Sequence, residues 1–267
     1  MWEFNIAEKK DDKLTNNKNG KVILVKLIAK FILSSLPLNP GAIRNTNKGI
    51  NISIIKTKKN KLKIVKQNER SLVGSVKGHP NVKILFMNTS EICEALAKNV
   101  GDIGISGKDL WKESEPSIQS KISLAKEYSF GESSVIVAVS KFWLDCVNSG
   151  DLEDISYEFY QKKKRLMRVA TKFKNLTREW FASKGITQYE VIYSKGATEG
   201  TIAAGISDMC TDLTSSGETL KQNNLKIIDT ILKSSACLFY SKKSLKKKGV
   251  KKFIKLLSSK DWVFPIN

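Results

Sequence analysis

Glu199–Leu225 reads EGTIAAGISDMCTDLTSSGETLKQNNL. Residues 208–213 (DMCTDL) have the length and apolar content of a short buried strand. Thr214–Thr219 reads as the loop leaving it, and Glu218–Asn223 as the start of a helix. Backbone N–H groups and hydroxyls of that loop then sit at a helix N-terminus, where unpaired donors and the positive end of the dipole favour an anion such as phosphate. Asp212, closing the strand, suits hydroxyl groups instead, because a carboxylate accepts hydrogen bonds and repels phosphate. An ordinary strand-to-helix connection, with Ser215 or Ser216 as N-cap, would use the same residue types.

The alternation continues on both sides. Short apolar or β-branched runs bounded by turn residues predict strands near 62–66, 82–87, 101–105, 134–140, 166–170, 188–193, 225–229 and 235–240. Between them, helices are predicted over Thr89–Asn99 with Asn88 and Glu91 as a capping pair, Leu176–Lys184 ending at Gly185, and Ala197–Ala204. Such a sequence of elements implies α/β layers with mainly parallel sheets. Ser241–Ser258 predicts a last helix, with Val250, Phe253, Ile254 and Leu257 on one face, five lysines opposite and Gly249 in its middle. A helix packed on its own sheet has this pattern, and so does a basic helix lying on a membrane.

The 267 residues carry a formal charge of +20, yet only five of the 46 basic residues are arginine. Sites that read phosphates or bases lean on arginine forks, so the lysine excess reads as a solvated surface, with polyanion binding as the rival. Cys93, Cys146, Cys210 and Cys237 have neither CxxC nor Cys/His spacing. This speaks for buried thiols in a reducing compartment rather than a zinc site or disulfide framework. His79, before Pro80, reads as a loop residue between strands and completes no Ser/His/Asp constellation. Val22–Leu33, interrupted by Lys26 and Lys30, is too short to span a membrane and has the wrong flanks for an export signal. The expected location is cytoplasmic, which also disfavours an exported solute-binding module.

The spacing of Glu199, Gly205, Ser207, Asp212, Leu213, Ser216, Gly217, Thr219 and Leu220 resembles the signature of the ATP phosphoribosyltransferase family, with Cys210 where the family has Ile or Val. Arg168–Thr177 (RVATKFKNLT), Lys195–Glu199 (KGATE), Gly101–Leu110 (GDIGISGKDL), Gly74–Phe86 (GSVKGHPNVKILF), Phe130–Val139 (FGESSVIVAV) and Ser234–Leu238 (SSACL) fall in the family's order, so the likeness covers residues 60–260. The wording GATEG, with AAG downstream, is similar to the short form, which lacks a C-terminal regulatory domain. A domain of about 70 residues does not fit after Leu238.

The resemblance implies a two-lobed, periplasmic-binding-protein-like α/β fold with mainly parallel sheets and a cleft between the lobes. Residues 1–60 would form an atypical, partly disordered segment, 61–114 and 230–267 lobe one, and 115–229 lobe two with the phosphoribosyl pyrophosphate loop. It also implies the reaction that opens histidine biosynthesis: N1 of the ATP adenine attacks C1 of the ribose, giving N1-(5-phosphoribosyl)-ATP and pyrophosphate. Mg²⁺ would arrive on the substrate phosphates, since no carboxylate cluster is fit to hold it alone. A homo-oligomer and a separate histidyl-tRNA-synthetase-like regulatory subunit are implied as well.

By the same resemblance, Ser215, Ser216, Gly217, Glu218 and Thr219 cradle the 5′-phosphate, Glu218 through its backbone N–H because its carboxylate adds negative charge. Asp212 holds ribose hydroxyls, Glu199 faces the cleft, and Arg70 (NERSLVG) lies near the pyrophosphate. Asp109 and Lys172 line the ATP side. The alternatives are an exposed turn residue for Arg70, an ordinary first-turn acid for Asp109 and a solvated lysine for Lys172. The departure lies at the start. Family members begin with a strand leading into a P-S-K-G-R-type turn, whereas residues 8–21 and Lys56–Lys63 are polar or lysine-rich. Asn39–Ile43 (NPGAI) and Asn47–Ile50 (NKGI) have only some of the residue types. Lobe one is therefore expected to lack a strand and part of the active site.

Overall fold

Runs rich in Ile, Val, Leu and Phe, interrupted every five to nine residues by Gly, Asn or Ser, favour short strands with tight connections. The structure, a computed structural model, describes residues 22–27, 52–56, 61–68, 70–194, 196 and 198–259. In chain order these form β1 (Val22–Leu27), β2 (Ile52–Lys56), β3 (Lys61–Lys66), β4 (Val73–Val76), β5 (His79–Met87), α1 (Thr89–Ala97), β6 (Ile103–Gly107), α2 (Lys108–Glu113), α3 (Pro116–Gln119) and β7 (Ile122–Glu127). There follow β8 (Ser133–Ser140), α4 (Ser149–Lys163), β9 (Met167–Thr171), α5 (Lys174–Ser183), β10 (Tyr189–Tyr193), α6 (Gly200–Ala203), β11 (Met209–Thr214), α7 (Glu218–Gln222), β12 (Leu225–Ser234), β13 (Ala236–Ser241) and α8 (Lys248–Ser258).

The strands make two sheets, one per lobe, in the orders β2-β3-β4-β5-β1-β6-β13-β7 and β10-β9-β11-β8-β12. Among the described residues, parallel pairing is confined to β1 with β5 and β6, and to β9 with β10 and β11. The expectation of mainly parallel sheets is thus corrected to mixed ones. The chain passes from lobe one to lobe two through β7 and β8 and returns through β12 and β13. Outgoing and returning strands pair antiparallel in both sheets.

The strand pairing also moves the lobe boundaries. β7 belongs to the first sheet, so the crossing lies after Glu127 rather than near 114, and β12 carries lobe two to Ser234 rather than 229. Neither shift has a clean sequence signal. Ile122–Glu127 buries only its first residue fully, and β12 contains two register shifts that break its period of two. Lobe one does not lack its central strand. Val22–Leu27 lies between β5 and β6, with Val22 opposite Val82 and Leu24 opposite Ile103. Residues 8–21, Asn39–Ile43, Asn47–Ile50 and Ala197 lie outside the described residues.

Both faces of each sheet are covered. In lobe one, Ile64, Ile84, Ile105 and Leu238 pack with Val250, Phe253 and Leu257 of α8, while Ile92 and Leu96 of α1 pack with Cys237 and Phe239. Thus α8 lies on its own sheet, and Gly249 falls in its first turn rather than its middle. His79 opens β5 instead of sitting in a loop, its ring edge-on to Phe253 at 5.8 Å. In lobe two, Val137, Val169, Phe181 and Met209 occupy one face and Ile136, Ala138, Ala170 and Cys210 the other. All four cysteines are buried and unpaired, and burial pushes the Cys210 thiol up, which leaves it a small apolar filler.

Helix ends follow local chemistry. α5 stops before Gly185, whose φ of +73° ends the helix as glycine can. Asn88 and Glu91 bond to each other at 3.3 Å instead of reaching the α1 backbone. α4, which carries no strong apolar stripe, is opened by a capping box of Asn148 and Asp151. At the start of β11, Asp208 accepts a fork from Arg165 at 2.6 and 2.8 Å and the Arg168 N–H at 2.9 Å, tying β11 to β9.

Candidate active site

Register builds the site. Thr211 of β11 pairs with Thr171 of the parallel β9, so the residues that follow, Asp212 and Lys172, emerge side by side where β9 ends and β11 runs on to Thr214. Lys172 Nζ lies 3.0 Å from Asp212 Oδ1, which also accepts the Leu213 N–H at 2.7 Å. Below them, Thr177 Oγ1 of α5 meets Thr211 Oγ1 at 2.6 Å and donates to Thr171 Oγ1 at 3.2 Å. These three hydroxyls are fully buried. They satisfy one another between strand and helix.

A cavity of about 400 Å³ opens over this floor, lined among others by Lys172, Glu199, Asp212, Ser215, Ser216 and Thr219. Glu199, the N-cap of the one-turn α6, faces Asp212. Burial, and then the neighbouring Asp212 carboxylate, push its carboxyl up. The floor is thus two carboxylates and one ammonium, and the rim is hydroxyls and backbone.

The loop departs from the expected cap. Gly217 is the N-cap of α7, with φ of +73°, so neither Ser215 nor Ser216 holds that position. Thr214 Oγ1 accepts the Gly217 N–H at 2.9 Å, and Ser216 Oγ only a long contact from the Glu218 N–H at 3.4 Å. Ser215 and Ser216 are exposed to the cavity. α7 is five residues long, so its dipole is small, and any hold on an anion comes from the loop's own donors.

The remaining expectations divide. Lys172 is ion-paired in this cavity, next to the Ser/Gly loop, rather than solvated. Asp109 is 5 % exposed and does not line the cavity; it accepts the Ser234 hydroxyl at 2.6 Å while its N–H donates to the same oxygen at 3.0 Å. Burial raises its carboxyl. A Cβ on Gly107 would come within 2.2 Å of its Oδ1, so any side chain there would have to displace the Asp109 carboxylate. Asp109 is a joint between α2 and the end of β12. Arg70 is exposed in the turn between β3 and β4, outside the cavity lining. The buried threonines carry no sequence signal of their meeting. Thr171 and Thr177 are six apart in sequence, and nothing in that spacing names Thr211 as their partner.

The ATP phosphoribosyltransferase family model matches residues 88–259. The chain belongs to this family. Among its relatives, the ATP phosphoribosyltransferase of a Chelativorans species is 39% identical over 180 residues, 66% of this chain and 78% of the relative. The enzyme of the same name from Mesorhizobium japonicum is 40% identical over 180 residues, with the same coverage. A solved structure, the ATP phosphoribosyl transferase HisG:HisZ complex from Thermotoga maritima, matches with a TM-score of 0.54 at 24% identity, over 71% of this chain and 82% of that one. That likeness is one of fold, and it agrees with the two-lobed α/β arrangement. Asp212, the Ser/Gly loop, Glu199 and Lys172 all fall within the span matched by the family. Among the described residues no helix is long and apolar enough to cross a membrane.

Proposed function

We propose that the cavity between β9, β11 and the Thr214–Gly217 turn is the phosphoribosyl pyrophosphate half of the site at which this ATP phosphoribosyltransferase joins its two substrates. The observation that carries the reading is the Lys172–Asp212 pair beside Glu199 under a hydroxyl-lined loop. Asp212 and Glu199 supply acceptors for ribose hydroxyls. Ser215, Ser216, Gly217, Glu218 and Thr219 surround the 5′-phosphate, Glu218 through its N–H. Lys172 offsets part of the floor's negative charge, which an entering polyanion would otherwise oppose. Arg70, exposed on lobe one, is assigned to the pyrophosphate side.

In the reaction the lone pair of adenine N1 forms the bond to C1, and the bond from C1 to the pyrophosphate oxygen breaks, with its electrons leaving on pyrophosphate. C1 gains positive character as that bond lengthens, and carboxylates fixed nearby favour this state over the ground state. Holding ribose and adenine in line contributes several kcal/mol, on the order of 7–11 in the best-oriented cases. No covalent nucleophile is needed. Mg²⁺ enters as part of the substrate. Among the described residues no three His, Cys, Asp or Glu side chains converge, and Asp212 Oδ1 is already engaged by Lys172 and Leu213.

The reading carries with it a cytoplasmic location, a homo-oligomer and a separate regulatory subunit; the Thermotoga maritima structure is likewise a complex of two proteins, HisG and HisZ. Its test is pyrophosphate release from ATP and phosphoribosyl pyrophosphate with Mg²⁺, with and without such a subunit. Release requiring both substrates is expected. Absence of release, together with no thermal protection by phosphoribosyl pyrophosphate, would remove it. A polyanion-binding protein would instead show affinity falling steeply with salt.

Gly217 provides a second test. Its φ of +73° costs an L-residue about 1–2 kcal/mol, and a β-branched one more. Gly217→Val is expected to weaken phosphoribosyl pyrophosphate binding by about tenfold or more, and the same backbone strain should lower the melting temperature by about 2–4 °C per kcal/mol. Titration calorimetry giving an unchanged Kd would contradict the loop's role.

A further inference from the structure

α5 begins without a cap of its own. Its N-cap residue is Phe173, which has no side-chain oxygen to accept the first-turn N–H groups. The acceptor comes from the other lobe. Glu113, the last residue of α2, accepts the Asn175 N–H at 3.0 and 3.1 Å on its two carboxylate oxygens and the Leu176 N–H at 3.0 Å. Asn175 Nδ2 returns a bond to the Glu113 carbonyl at 2.8 Å. A carboxylate at the C-terminal end of α2 opposes that helix's dipole, yet it complements the N-terminus of α5. Glu113 is thus placed to serve the helix of the partner lobe rather than its own.

The segment it holds reaches directly into the cavity. Thr171 Oγ1 accepts the Phe173 N–H at 2.8 Å, so Thr171–Leu176 is fastened from below by the buried threonines and from across the lobes by Glu113. Lys172 is the residue this turn presents to Asp212. We infer that Glu113 is a positioning residue: by capping α5 from lobe one it fixes the 172–175 turn, and through that turn the Lys172–Asp212 pair. The inference rests on the proposed role of the cavity in binding phosphoribosyl pyrophosphate.

The test uses the full chain with Glu113→Gln, which keeps the side chain's size and removes its charge, and Glu113→Asp as a better-folded fallback. Amide hydrogen exchange at Asn175 and Leu176 is expected to accelerate about tenfold, in line with the loss of a helix cap, while the Thr211 amide in β11 keeps its protection. The Kd for Mg²⁺-phosphoribosyl pyrophosphate is expected to rise about tenfold in Glu113→Gln, but by less than about twofold when the same change is made on a Lys172→Ala background. Equal losses on both backgrounds, unchanged exchange at the α5 start, or a uniform acceleration across lobe two would each overturn the inference. If the unaltered protein itself fails to bind phosphoribosyl pyrophosphate, the reading of the cavity fails. The exchange data then still report whether Glu113 is the cap.

Discussion

Asp212→Ala is expected to lower kcat/KM for phosphoribosyl transfer by about 10²- to 10³-fold, the range observed when one preorganised group facing developing charge is removed. The carboxylate has three physical tasks at once. In the structure it is the ion-pair partner of Lys172 at 3.0 Å, and in the proposed reading it also accepts ribose hydroxyls and lies, with Glu199, beside the carbon that becomes cationic. Alanine removes all three and takes from Lys172 the carboxylate with which it forms its 3.0 Å ion pair. Asp212→Asn separates them, because the amide keeps an acceptor and nearly the same shape but not the charge. It should retain more phosphoribosyl pyrophosphate affinity than alanine while still losing turnover. Steady-state pyrophosphate release at varied phosphoribosyl pyrophosphate checks both variants, and a kcat/KM within threefold of wild type for Asp212→Ala would refute the assignment.

Asp208→Ala is expected to cost about 2–3 kcal/mol of stability. Breaking a buried ion pair by deleting one partner costs about 3–5 kcal/mol, and partial exposure of both guanidiniums lowers the figure here. The Asp208 side chain is 9 % exposed and joins two arginines at the point where β11 enters the sheet. Burial alone would raise its carboxyl, but the hydrogen bonds and charge of Arg165 and Arg168 outweigh that and hold it well below the usual carboxylate range. A depressed folded-state pKa contributes stability in full above the unfolded value near 3.9 and loses it as pH falls toward the folded value. Urea melts of the wild type should therefore weaken from about pH 5 downward, with a shallower decline in Asp208→Asn. Identical slopes below pH 5 would show that the pair contributes nothing to acid stability.

Much of lobe two was legible along the chain, because its signals are local. DMCTDL followed by TSSGET names a strand, a turn and a helix without reference to any other residue, and Gly217 occupies the left-handed position the turn requires. Leu176–Lys184 before Gly185 was readable for the same reason. Lobe one was harder. Val22–Leu27 is an apolar run whose strand character depends on slots between β5 and β6 contributed by residues far along the chain. β7 shows little alternation, and β12 hides its second half behind two register shifts.

Within the site, residue types and spacing by themselves determined the Ser/Gly loop and its acidic neighbour. These are properties of consecutive residues, where backbone geometry leaves few alternatives. Which charges meet was decided only in three dimensions. Lys172 was marked out among 41 lysines only by the family resemblance, and its pairing with Asp212 came from the parallel register of β9 and β11. Asp109 looked like a cleft residue until the end of β12 brought Ser234 against it, and Glu113 carried no signal at all until α5 arrived from the other lobe. Ion pairs, buried hydroxyls and caps shared between lobes depend on distances of about 3 Å between residues dozens of positions apart, and only the folded chain determines those.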